Sequence, residues 1–477
     1  VRTDRPNIVL IITDQQRFDT IAALGFGHMT TPHLDRLVRE GVAFGNCHVT
    51  GASCVPSRAS LFNGYYPHVT GILSNGQRWR RTWVEHLREA GYRCVNVGKM
   101  HTFPYNAEAG FHERYIVENK DRFMEQRYYF DEWDKALAAH GLRKQQRSLY
   151  RLRPDYRERL GAFEWELPEK LHSDVFVGDL AAWWLESYPK TEPLFLQIGF
   201  PGPHPPYDPI PRYAAPYLER ADVPVPQVSE AELAGQPAYL EEKRRHDAEV
   251  DHDSVVWNPQ RTPEQLRRMR AYYYANVTMI DERIGSVLAT LESRGYLENA
   301  VILFTSDHGD CLGDHGLSQK WSMYDAVTRV PLVAWAPGRF PAGRRIDGLC
   351  QLFDLGPTIL ELAGVAPRDD LNAQSLLPVL EGRAWKPREF VYCEQAGDVN
   401  LTGAAYVAMV RSAGWKAVYV KGHDDGQMYD LAVDPEERRN LWADARHADR
   451  RRVMLDRLRD WFVDTSYTTR NWMADAR

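Results

Sequence analysis

Cys54, Pro56, Ser57 and Arg58 stand together inside the run TGASCVPSRASLFNG, residues 50–64, and their types and spacing suit nucleophile and anion chemistry. Pro56 fits an early helical position and Gly64 a C-terminal stop, which predicts a short helix with Cys54 at its N-terminal mouth. Free backbone N–H groups and aligned peptide dipoles make such a mouth electropositive, and Arg58, one turn in, adds a planar cationic fork. Taken alone, Cys54 has two readings: a buried structural thiol, or a thiolate nucleophile whose pKa the helix terminus lowers.

Other reactive side chains follow short apolar runs. Asp14 and Gln15 close NIVLIIT, Lys99 and His101 lie in GKMH after YRCVNV, His204 lies in PGPHPP after LFLQIG, and Asp307 and His308 close VILFTS. His315 and Lys320 occupy the Gly-containing loop that comes next. Asp14, Asp307 and His308 amount to two hard carboxylates and an imidazole, enough to hold a divalent ion with room for a substrate oxygen. Singly, an Asp after a strand caps a turn and a lone His is a satisfied polar group. Together they point to a shared site.

The elements that must position these residues read as alternating strands and helices. Residues 7–13 are a continuous β-branched run, the mark of a strand buried on both faces. Strands are also predicted over 92–97, 194–199, 301–305 and 331–335. Helices are predicted from Pro32 to the Gly41 stop and over 82–90, 175–187, 263–293 and 355–363. Residues 104–171 lose periodicity and read as an insertion over the sheet edge, whose aromatic and arginine side chains mostly face solvent. The Pro- and Glu-rich segment 206–259 reads as loop. Past about residue 385 short strands separated by Gly and Asp turns predict a hairpin-rich part with a closing helix over 444–462. The expected fold is α/β: a mostly parallel sheet with helices on both faces, residues 1–384, and a smaller antiparallel C-terminal subdomain, residues 385–477. In such sheets ligands bind beyond the carboxyl ends of the strands, where Asp14, Lys99, His101, His204, Asp307 and His308 fall.

The composition excludes several classes. With 477 residues, 44% hydrophobic and 26% charged, the chain can bury a large core, and no apolar run approaches the ~18 residues of a membrane span. A net charge of −6 gives no global attraction to nucleic acid, so any anion site is local. Six dispersed cysteines lack metal-ligand spacing and argue against a disulfide framework. No charged n-region and apolar h-region precede the first strand, so the expected compartment is the cytoplasm, or the periplasm after removal of a leader. The aromatic stretch 461–472 suggests docking on a neighbouring subunit.

The runs VLIITDQQ, CVPSR, GKMH, the His204 loop, TSDHGDCLGDHG with Lys320 and the hairpin-rich C-terminal part, in this order, resemble the type I sulfatase family. The resemblance implies the alkaline phosphatase-like fold. It implies that a maturation enzyme oxidises Cys54 to formylglycine, which is hydrated to a geminal diol. It assigns Asp14, Gln15, Asp307 and His308, with residue 54, to one divalent metal, and sets Arg58, Lys99, His101, His204 and Lys320 around a sulfate. Calcium is the usual family ion; Gln15 stands where many members carry a second Asp, which leaves manganese open. In the implied reaction one hydroxyl at residue 54 attacks sulfur and displaces the alcohol, with Asp307 accepting its proton and His204 or Lys320 protonating the leaving oxygen. His101 then deprotonates the second hydroxyl, and sulfate leaves by C–O cleavage.

The expected substrate is a small-molecule or saccharide sulfate ester. The alternative is a phosphonate monoester or phosphodiester, since enzymes of that kind share the nucleophile and the Asp-Gln opening. They tend to replace the Lys and His of GKMH by neutral hydroxyl residues, so Lys99 and His101 favour sulfate. A non-catalytic anion-binding module would not need the full polar set, and a two-metal phosphatase would need further His and Asp ligands.

Overall fold

The computed structural model describes residues 5–118, 123–124, 127–145, 147–398 and 400–468. Its main sheet has nine strands. Five run parallel in the order Glu113–Ile116, Arg93–Gly98, Leu194–Pro203, Asn7–Asp14 and Ala300–Ser306. Arg329–Trp335 then lies antiparallel to both its neighbours, Ala300–Ser306 and Val42–His48. Arg344–Ile346 and Cys350–Gln351 pair in parallel with the outer side of Val42–His48.

The central strand Asn7–Asp14 is sealed on both faces. Val9 and Ile11 join the apolar cluster that holds Met269, Tyr273, Val277, Ile280, Ile284 and Val287 of the helix Pro263–Ser293. Ile8, Leu10 and Ile12 join the opposite cluster, with Leu61, Phe62 and Trp83. Strict alternation about a strand with no solvated face explains why all five residues from Ile8 to Ile12 are apolar. Each such side chain stabilises the fold by about 2 kcal/mol.

Three segments differ from the sequence expectation. Residues 104–171, expected as an insertion over the sheet edge, supply that edge: Glu113–Ile116 pairs with Arg93–Gly98. Their aromatics are largely internal, with Trp133 and Trp165 packed in the core cluster. Indole area that large favours burial even where no helical or strand period announces it. Residues 206–259, expected as loop, contain the helices Pro211–Glu219, Glu230–Ala234 and Ala238–Glu249. Val42–His48, read as no element, is a strand of the main sheet.

The second sheet is antiparallel, in the order Val391–Ala396, Tyr406–Arg411, Trp415–Val420 and Gln427–Asp430. The helix Ala448–Thr468 covers it through Met454, Leu458 and Trp461, which pack with Ala408, Val410 and Ala417. Trp461 stacks on Tyr392 within the same chain, with ring centroids 4.7 Å apart. Residues 469–472 of the expected docking stretch lie outside the described residues. The second sheet is joined to the first at the Glu394 N–H, which donates to the Thr50 carbonyl at 3.0 Å. It is joined again at Lys416, whose buried ammonium donates to Asp325 Oδ1 at 2.6 Å and to the Met323 carbonyl at 2.9 Å and contacts Glu437. Among the described residues no helix is long and apolar enough to cross a membrane.

Candidate active site

The helix expected around Cys54 spans Cys54–Asn63 and is buried along its whole length. It ends at Gly64, whose φ of 83° lets its N–H reach the Ser60 carbonyl. The parallel strands bring the remaining residues to this helix. Asp14 closes the central strand, Asp307 follows Ala300–Ser306, His204 follows Leu194–Pro203, and Lys99 follows Arg93–Gly98. The chain beyond Gly98 crosses Gly199 so closely that a Cβ there would lie 1.9 Å from the Lys99 carbonyl oxygen, which fixes a glycine at that crossing.

Asp14, Cys54, Asp307 and His308 each offer one ligand atom, and all four atoms lie within 4.8 Å of one another. Cys54 Sγ is 3.1 Å from His308 Nε2 and 3.7 Å from Asp14 Oδ1. His308 Nδ1 lies 2.9 Å from the Gly309 carbonyl; donating there fixes the ring and aims Nε2 at the cluster. Two hard carboxylates and an oriented imidazole on one buried point fit a divalent cation. Gln15 borders this group. Its Nε2 donates to Asp310 Oδ2 at 2.7 Å, which turns Oε1 toward Lys320 Nζ at 3.0 Å. The turn that presents it is left-handed at Gln15, φ 71°, a strain of roughly 1–3 kcal/mol. Tyr273 holds the turn: its hydroxyl donates to the Gln15 carbonyl at 2.7 Å and accepts from the Arg17 N–H at 2.8 Å.

Cations surround the cluster. Arg58 has no exposed surface; Nε meets Asp307 Oδ2 at 2.6 Å, Nη2 meets Asp14 Oδ2 at 3.2 Å, and Nη1 donates to the Lys99 carbonyl at 3.1 Å. Lys99 Nζ is 2.9 Å from Asp14 Oδ2. Lys320 Nζ is 3.3 Å from Cys54 Sγ and 2.9 Å from His204 Nε2. His204 in turn faces Asp253, which Arg147 holds at 2.8 Å. Burial raises the Asp14 pKa, and Lys99, His204, Arg58 and Lys320 together outweigh it, holding Asp14 well below the usual carboxylate range. Burial and Asp14 push the Cys54 thiol up, and Lys320, His308 and His101 pull it well below its ordinary value. For His308, burial acts downward while Asp307 and Cys54 lift it to about 9.

His101 is also left-handed, φ 64°, and its N–H donates to both oxygens of Glu118, at 3.1 and 3.0 Å. Its Nδ1 is buried with no hydrogen-bond partner among the described residues. The residue lines a cavity of about 270 Å³ together with Cys54, Lys99, His204 and Lys320. The structure thus brings all the expected site residues to one rim. Sequence reasoning singled out none of the other lining residues, among them Asn75, Tyr105, Asp253, Trp321, Asp398 and Asn400. These lie in irregular segments, and position 321, left-handed at φ 65°, carries no glycine to mark the turn.

Two ammonium groups, those of Lys99 and Lys320, thus line one cavity with residue 54, an arrangement chemically suited to a small tetrahedral anion. The profile described as Sulfatase matches residues 6–365, and that of the N-sulphoglucosamine sulphohydrolase C-terminal region matches residues 313–463. An arylsulfatase of Clostridium perfringens is 29% identical over 455 residues, covering 92% of this chain and 90% of its own. An N-acetylglucosamine-6-O-sulfatase of Bacteroides thetaiotaomicron is 25% identical, covering 96% and 86%. The crystal structure of a phosphonate monoester hydrolase of Agrobacterium radiobacter superposes with a TM-score of 0.80 at 26% identity, covering 97% of this chain and 96% of that one.

Proposed function

The chain belongs to the sulfatase family, and from that premise we propose that it hydrolyses sulfate monoesters at residue 54, with Cys54 oxidised to formylglycine beside one divalent cation. The observation that carries this reading is the meeting of four ligand atoms within 4.8 Å under a cavity lined by Lys99, His101, His204 and Lys320. A cation held by Asp14, Asp307, His308 and residue 54, with Gln15 Oε1 alongside, supplies Lewis-acid neutralisation; the oxygen-rich donor set suits calcium, and its imidazole and amide admit manganese.

The chain's own residues divide the remaining work. Lys99 and Lys320 flank residue 54 and neutralise charge on the nonbridging oxygens of the substrate. Arg58 faces inward and positions the Asp14 and Asp307 carboxylates; it reaches the substrate only through them. Lys320 and His204, 2.9 Å apart, hold the proton that the departing alcohol oxygen needs. His101, on the wall of the same cavity as residue 54, removes a proton there and releases sulfate.

A phosphonate monoester or phosphodiester is the second reading, and the 0.80 TM-score favours it. A kinetic panel separates the two. Matured protein with its metal assayed is offered sulfate monoesters, phosphonate monoesters and phosphodiesters. We expect the highest kcat/KM on a sulfate monoester, loss of sulfur from the residue 54 peptide by mass analysis, and no turnover by Cys54→Ala. An unmodified thiol in fully active protein would refute the proposal.

A further inference from the structure

We propose that Asp398 and Asn400 select the alcohol portion of the substrate, favouring alcohols that carry O–H or N–H donors, above all sugars, over bare aryl groups. This rests on the sulfate-ester reading above and concerns the wall of the cavity away from the two ammonium groups.

Asp398 lines that cavity, and its acceptor capacity is incompletely filled. Oδ2 accepts from the Trp321 indole N–H at 3.0 Å and from Gln395 Nε2 at 3.2 Å, and Oδ1 accepts from the Asn400 N–H at 3.0 Å. A carboxylate offers about four acceptor sites, so one remains on Oδ1. Among the described residues no cationic side chain pairs with Asp398. Asp253 on the same cavity differs, being held by Arg147 at 2.8 Å and by His204 at 3.3 Å. Beside it, Asn400 Oδ1 is buried and has no hydrogen-bond partner among the described residues. The cavity wall thus carries two neighbouring side chains, Asp398 and Asn400, each with an acceptor oxygen short of donors, a state that is unfavourable until something supplies them. A hydroxyl or amine on the bound alcohol does so. A plain aryl ring does not.

The same bonds fix these acceptors relative to the reacting centre. Gln395, a donor to Asp398, accepts from the Ser53 hydroxyl at 3.1 Å, and Ser53 precedes Cys54. Trp321, the other side-chain donor, follows Lys320. The selecting pair is thus tied through one residue to each side of the sulfate site, which is what discrimination by position requires.

The test uses the full matured protein and the variants Asp398→Ala, Asp398→Asn and Asn400→Ala. Initial rates are measured on glucose 6-sulfate, glucosamine 6-sulfate and 4-nitrophenyl sulfate. We expect Asp398→Ala to lower the ratio of kcat/KM on each sugar sulfate to that on 4-nitrophenyl sulfate by about 10- to 100-fold. Asn400→Ala should shift it in the same direction. Asp398→Asn, which keeps an acceptor oxygen, should restore most of the ratio for glucose 6-sulfate; a persisting loss for glucosamine 6-sulfate alone would identify the bound donor as an ammonium. Equal losses on all three substrates would mark Asp398 as merely structural and overturn the proposal, as would unchanged ratios or wild-type protein that accepts only the aryl ester. Wild-type protein that cleaves phosphonates and no sulfate would instead remove the reading beneath it.

Discussion

Arg58 illustrates what a single side chain contributes. Its three nitrogens meet three different acceptors, and Asp14 and Asp307 are thereby held apart yet aimed at one point. A lysine ammonium reaches one of these partners and leaves the others buried without a donor. We expect Arg58→Lys to lower kcat/KM by about 100-fold or more, with a parallel loss of bound metal by elemental analysis. Unchanged metal content with full activity would show that the carboxylates need no such brace. Asp14 and Asp307 were legible in the sequence because each closes a short apolar run that reads as an internal strand, and Arg58 because it stands one turn into the helix that begins at Cys54. The mutual orientation of Arg58, Asp14 and Asp307 was not, since spacing along a chain says nothing about which acceptor a fork will face.

At the scale of elements, legibility followed burial. The central strand Asn7–Asp14 and the helix Pro263–Ser293 were readable because both faces of one and a long stripe of the other are apolar. Glu113–Ile116 is four residues long and half exposed, so the sheet edge carried no pattern. Ala238–Glu249 reads AYLEEKRRHDAE, mostly polar after its first three residues, and its place is set by the packing of Tyr239 and Leu240. The wall residues Asp398 and Asn400 come from a turn after the first strand of the second sheet, where no periodicity exists to read. One junction between helices gives a measurable consequence. Asp281 accepts from the Leu34 N–H at 2.7 Å and the His33 N–H at 3.1 Å, which ties the long helix to the start of Pro32–Glu40. Burial raises its carboxyl to about 7, and the two N–H donors oppose that only in part. The unfolded chain ionises near 4, so between about pH 4 and 7 the folded form binds the extra proton. Stability from this group is therefore full below pH 4 and declines as pH rises through 7. Asp281→Asn should flatten that decline, read from urea midpoints across the range; an unaltered slope would assign it to other groups.

Across the whole molecule the two sheets share buried charge as well as apolar surface. Lys416, on the second sheet, has no exposed surface and lies between Asp325 of the catalytic half and Glu437. Removing it leaves Glu437 without its ammonium partner and Asp325 with the longer Arg411 contact at 3.4 Å. We expect Lys416→Met to destabilise by about 3–5 kcal/mol in urea denaturation. A change under about 1 kcal/mol would mean that Glu437 takes a proton and absorbs the loss. Glu437, which burial raises above the ordinary glutamate range, is the group that would do so.

The seam where Glu394 meets Thr50 carries a practical consequence. Thr50 sits four residues ahead of Cys54, so slackness between the halves reaches the nucleophile before it reaches the interior of the large sheet. Mild heating should therefore silence turnover while far-ultraviolet dichroism still reports intact strands. Shelf life for such a catalyst would then be governed where that seam meets the segment leading to residue 54, and engineering for endurance would begin there.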